Sequence, residues 1–179
     1  AGDNERALTL WKQAFHLAPE QQTQIIGFLA ASMPADAFLD YFRPDRAGLG
    51  KLYSFYRDRA LVEPAQYVGV RYVAELEREA RHADGSAATA FWDQASGVHA
   101  YLRDADKAAE CARNAVFHAA DDFGLHQRLA AALLNNHEYD EAVSELQWLL
   151  SRQPENASLR QQLEQANRQR LTSPGVIVR

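Results

Sequence analysis

Between Gly124 and Pro154 the chain runs through the same apolar rhythm twice. Leu125, Leu129, Leu133 and Leu134 recur at spacings of three and four, which places them on one helical face. After the polar turn Asn135-Asn136-His137 the stripe resumes as Ala142, Val143, Leu146, Leu149 and Leu150. Small residues stand at Ala130 and Ala142, where two antiparallel helices have to approach closely. The pattern predicts an amphipathic helical hairpin.

The same reading extends along the chain. Residues 4–18 form a helical pattern with Leu8, Trp11, Phe15 and the pair Ala7/Ala14 on one side. Residues 20–32 follow, with Ile25, Ile26, Phe28 and Leu29 expected in the core, ended by Met33-Pro34 because proline disfavours helix in the residue before it. Further helices are predicted over 35–42, over 47–60 and from Glu63-Pro64 to about Ala83, with a turn at Arg43-Pro44-Asp45. His82 to Ser86 is a break with turn chemistry, and Asp104-Ala105-Asp106 is another. Asn156 is placed to cap a last, mostly polar helix ending near Leu171.

A register of 34 residues relates two of these hairpins: Trp92, Ser96, Ala108, Ala112 and Ala115 precede His126, Ala130, Ala142, Leu146 and Leu149 by that interval. Leu129, Ala130, Leu133, Ala142, Leu146 and Pro154 resemble, position by position, the tetratricopeptide repeat, a helix-turn-helix unit of ~34 residues. His126 departs from it, standing where that family prefers Trp or a large aliphatic. Ala7, Trp11, Ala14 and Pro19 resemble the second helix of a repeat. The resemblance implies an all-α fold, an α-solenoid of antiparallel hairpins wound as a right-handed superhelix, and the patterns along the chain count to about ten helices. We expect a single repeat domain over 1–171. It comprises an orphan second helix at 4–19, worn hairpins over 20–83, repeats at 89–122 and 123–154, and a capping helix at 156–171; a tail or linker at 172–179 follows it. The opening Ala1-Gly2 and the missing first helix lead us to expect an excised domain or processed product, with the first helix available for packing against a second copy.

Composition narrows the function. The apolar share of 47% and the charged share of 24% are ordinary for a globular chain. Net charge is −5 and neither half is basic, which argues against nucleic acid. One cysteine, Cys111, allows no internal disulfide and no thiolate cluster; it sits in an Ala-rich helix as a small packing residue. No apolar run approaches the ~20 residues of a membrane span, so no membrane contact is expected of this segment, and the compartment, cytoplasmic or extracytoplasmic, stays open.

Motifs for chemistry fail one by one. The six histidines form no His-x-x-x-His pair and no carboxylates stand near them at ligand spacing, so no metal is expected. Gly48-Leu49-Gly50-Lys51 lacks a phosphate loop's upstream glycine, having Asp45 there, and Leu52 takes the place of its hydroxyl residue. Asn156-Ala157-Ser158 fits a glycosylation acceptor but is explained as a helix cap. No catalytic residue and no cofactor are expected.

What remains is a surface. The resemblance directs the first helices of the last two repeats at a concave groove, presenting Asp93, Gln94, Gly97 and Tyr101, then Gln127, Arg128, Ala131 and Asn135. A non-catalytic scaffold taking a peptide or partner helix is the leading expectation. A carboxylate clamp of the Lys/Asn/Arg kind is implied only at Arg128, since Gly124 and Ala131 stand at two of its positions. Two alternatives are carried: self-association through the first helix, and an extracytoplasmic domain of a larger membrane protein or enzyme of cell-surface polysaccharide assembly. The latter rests on a resemblance of the first sixty or so residues, ALTLWKQAFHLAPE and MPADAFLDYFRPD among them, to repeat tails of O-antigen-ligase-like bacterial membrane proteins.

Overall fold

The computed structural model describes residues 2–172, with side chains from Arg6 onward. The described residues hold ten α-helices and no strand. They are α1 (Gly2–Leu17), α2 (Gln22–Leu29), α3 (Ala35–Phe42), α4 (Arg46–Asp58), α5 (Val62–Ala80), α6 (Gly85–Tyr101), α7 (Ala105–His118), α8 (Phe123–Asn135), α9 (Tyr139–Arg152) and α10 (Ala157–Thr172), with a 3-10 turn at Pro19–Gln21. The tail expected at 172–179 lies, from position 173, outside the described residues. Contacts group the chain into two compact units, 1–76 and 77–179. The boundary falls inside α5, a helix with no break to mark it in the sequence.

In the first unit, aromatic packing organises the core. Phe38 and Phe42, one turn apart on α3, stack at 4.5 Å, and Phe15 of α1 meets Phe42 at 5.3 Å. Burying such rings contributes roughly 1.5–3 kcal/mol each. Helix α3 is bounded by Pro34 before it and by Arg43, which ends it in the left-handed region at φ 45°. Asp45 caps α4 by accepting from the Gly48 N–H at 2.8 Å. The buried Gln22 donates to the Phe15 carbonyl, and Lys51 donates to the Pro19 carbonyl and to Gln22, which ties α4 to the α1–α2 corner.

Two expectations for this unit are corrected. Phe28 is 70% exposed rather than in the core, and the helix assigned to 20–32 is shorter, because Ala30 to Met33 curl into a turn on the Ile26 and Leu29 carbonyls. Isoleucines 25 and 26 already fill the buried side of α2, so Phe28 is left to stack outside on Trp11 at 5.8 Å. Leu10 and Leu17 of α1 and Tyr67 and Val70 of α5 are likewise exposed.

The second unit contains the hairpins α6/α7 and α8/α9, closed by α10. Ala109, Ala112, Leu129, Leu133 and Ala142 form one cluster; Ala130, Val143, Leu146, Leu149, Leu159 and Ala166 form the next. Alanines at these crossings leave room for backbone approach, and Ser96, at the position matching Ala130, donates its hydroxyl to the Ala108 carbonyl at 2.8 Å. Asp104, Asp122 and Asn156 each cap the next helix through a side-chain oxygen.

One turn recurs three times. Ala60, Arg103 and His137 all have left-handed φ of 55–63°. The residue after each, Leu61, Asp104 and Glu138, donates its N–H to the carbonyl five residues earlier, on Tyr56, His99 and Leu133. This is the Schellman way of ending a helix. The α4–α5 connection thus ends its first helix in the same kind of turn as the α6–α7 and α8–α9 connections.

Candidate partner-binding site

Helices α6 and α8 carry the six residues singled out for a partner. Gln94, Gln127, Arg128 and Asn135 are exposed, and Asp93 and Tyr101 are half-buried. The fold brings Asp93 and Arg128 together: Arg128 Nε donates to Asp93 Oδ1 at 2.5 Å. Both line a cleft of about 350 Å³ between the N-terminal parts of α6 and α8. Gln94, Tyr101, Gln127 and Asn135 do not line this cleft. Its remaining wall was not anticipated. Ser86, Thr89, His118 and Asp122 supply hydroxyls, an exposed imidazole and a carboxylate, and Leu125 supplies apolar surface. His118 and Asp122 sit at helix ends, where a repeat pattern built on helix faces gives no signal.

His126 occupies the large-residue position of its repeat by a different chemistry. It is buried, with Nδ1 2.5 Å from Glu145 Oε2 and Nε2 2.8 Å from the Ala120 carbonyl. Arg113 plays a comparable part between α7 and α9: its guanidinium makes paired bonds to Glu141 and also contacts Glu138. Those hydrogen bonds, Glu141 first, hold Arg113 firmly protonated against the opposing effect of its partial burial.

The expectation that no carboxylate stands with the histidines is also corrected. Glu77 of α5, His99 of α6 and Cys111 of α7 converge, one ligand-type atom from each lying within 4.8 Å of the other two. His99 Nε2 is 2.7 Å from Glu77 Oε1. Cys111 is buried, and burial, followed by the negative charges of Glu77 and Glu110, pushes its thiol up to about 12. The cluster draws on three helices, so no local spacing could reveal it.

No family model matches the chain. No curated protein matches it at a significant level. Among solved structures the chain is similar to "MamA MSR-1 C2", with a TM-score of 0.58 and 16% identity, covering 92% of this chain and 87% of that one. MamA is a TPR-like protein, and a likeness at this identity shows the fold: the chain is a TPR-like helical solenoid. Nothing in these comparisons supports the resemblance to O-antigen-ligase-like repeat tails. Among the described residues no helix is long and apolar enough to cross a membrane.

Proposed function

We propose that the chain is a non-catalytic protein-interaction module that receives an extended peptide or a partner helix on the α6/α8 face. The observation that carries this reading is the Asp93–Arg128 pair. Two opposite charges 35 residues apart, on the first helices of successive repeats, meet at the wall of a cleft rather than dispersing into solvent. An exposed ion pair contributes little to stability, typically below ~1 kcal/mol. It exchanges readily for a carboxylate and an amine supplied by a ligand. The cleft holds a short side chain or chain terminus, while Gln94, Tyr101, Gln127 and Asn135 offer adaptable contacts beside it. The net charge of −5 favours a protein over nucleic acid as partner.

Capture of binding proteins by the wild type, by Arg128→Glu and by Tyr101→Ala tests the reading. At least one captured protein is expected to be lost with Arg128→Glu while the variant keeps the wild-type circular dichroism. The same proteins at the same abundance with both variants would remove the groove from consideration.

A second reading has its own observation. Leu10, Trp11 and Leu17 of α1 and Phe28 of α2 are exposed together, with Trp11 and Phe28 stacked. Apolar surface of this kind favours self-association through the first helices. Light scattering that finds only monomer across micromolar concentrations rules it out.

A further inference from the structure

We propose that Glu77, His99 and Cys111 form a binding site for a single divalent cation of the zinc class. Three helices each deliver one donor of a different kind to the same point: a carboxylate oxygen from α5, an imidazole nitrogen from α6 and a sulfur from α7. All three ligand atoms lie within 4.8 Å of one another. A tetrahedral zinc site needs its donors roughly 3.3–3.8 Å apart, given metal–ligand bonds of ~2.0–2.3 Å. Binding therefore has to open the 2.7 Å His99–Glu77 contact and draw the wider separations in, by shifts on the scale of about 1 Å.

The hydrogen bonding around the cluster is incomplete in a way a cation resolves. Nε2 of the buried His99 faces Glu77 Oε1, which places the proton of a neutral ring on Nε2. Nδ1 is then a bare acceptor, and it is buried with no hydrogen-bond partner. A cation bound at Nε2 moves the ring proton to Nδ1, and Asp104 Oδ2 stands 3.9 Å from that atom. That separation is longer than a hydrogen bond, and an approach of about 1 Å by the half-exposed Asp104 side chain would complete the carboxylate–histidine–metal arrangement that orients metal-bound imidazoles. Glu77 is already held by its other oxygen, which accepts from Arg81 at 2.8 Å.

Charge decides the class of cation. Cys111 gives up its thiol proton to solvent when it ligates, so the carboxylate and the thiolate together carry two negative charges, and a bound dication brings the site to zero. A set of one sulfur, one nitrogen and one oxygen donor suits zinc. It is too soft for magnesium or calcium and too poor in sulfur for copper(I) or an iron–sulfur cluster. Three protein ligands leave the fourth position to water.

The test is titration of the chelator-treated full chain with cobalt(II), read by absorbance, followed by displacement with zinc. One equivalent is expected to bind with a thiolate-to-cobalt charge-transfer band, and zinc is expected to abolish the band. Cys111→Ala should lose the band. Glu77→Gln should weaken affinity at least tenfold, and Asp104→Asn roughly tenfold as an outer-shell change. Absence of a charge-transfer band in the wild type, or unchanged affinity in Cys111→Ala, overturns the proposal and leaves the cluster as hydrogen-bonded packing. The wild-type titration decides the matter even where a variant folds poorly.

Discussion

His126 and Trp148 lie face to face, their ring centroids 3.6 Å apart and their planes 19° from parallel. The imidazole so held sends both nitrogens to acceptors, Glu145 on α9 and the Ala120 carbonyl. The position that the repeat family fills with bulk is filled here by a flat ring and two hydrogen bonds. Loss of the ring strands a largely buried carboxylate and a carbonyl. His126→Ala is therefore expected to cost about 2–4 kcal/mol in urea denaturation. His126→Trp restores volume but leaves Glu145 unpaired, so it recovers the loss only when combined with Glu145→Leu. An unchanged midpoint in His126→Ala contradicts this account.

Ala60 adopts φ 55° at the turn shared with Arg103 and His137. Left-handed backbone disfavours any residue with a Cβ by ~1–2 kcal/mol, offset in part by the greater freedom of glycine when unfolded. Ala60→Gly should raise stability by about 0.5–1 kcal/mol, seen as a higher melting temperature. A lower one would mean the turn is held by something other than its backbone geometry.

These turns mark where the sequence was legible and where it stopped being so. Ten helices followed from apolar spacing, and α3 fell on its expected bounds because Pro34 and Arg43-Pro44 punctuate it from both sides. The Schellman turn at Ala60 carries no glycine or asparagine, so the helix expected over 47–60 runs through a residue that the structure places in the left-handed region. Phe28 was misplaced because Ile25, Ile26, Phe28 and Leu29 crowd successive positions around α2, and spacing cannot choose which side a neighbour covers. Asp93 and Arg128 could be assigned to one face by register. Their mutual bond, the cleft beside them, and the meeting of Glu77, His99 and Cys111 depend on how helices pack, which no local pattern encodes.

Gly48 sits where α4 crosses close to its neighbours. A Cβ there would lie 2.9 Å from the Pro44 Cβ, 3.2 Å from Asp45 Oδ1 and 3.3 Å from the Phe15 ring. Gly48→Ala gains helix propensity of ~1 kcal/mol yet forces a buried ring and the cap to shift. Net destabilisation of about 1–2 kcal/mol is expected by thermal melting. Equal or greater stability would show that Phe15 can move freely.

Cys111 should be chemically silent in the folded, chelator-treated chain. With its thiol pushed up to about 12 by burial and by Glu77 and Glu110, almost no thiolate exists at pH 8. Iodoacetamide labelling is expected to be more than about a hundredfold slower than in urea. It should accelerate as pH rises toward the folded value, since the thiolate gains population in that direction. Labelling at the unfolded rate under native conditions would contradict the burial of Cys111.

Hydrogen exchange on the complex with a captured protein locates the bound partner and so checks whether it sits on the α6/α8 face. Added protection is expected within 85–101 and 123–135, on the helices that carry Asp93 and Arg128, and it should vanish for Arg128→Glu. Protection confined to α1 and α2, or unaffected by the charge reversal, would place the interaction elsewhere on the chain.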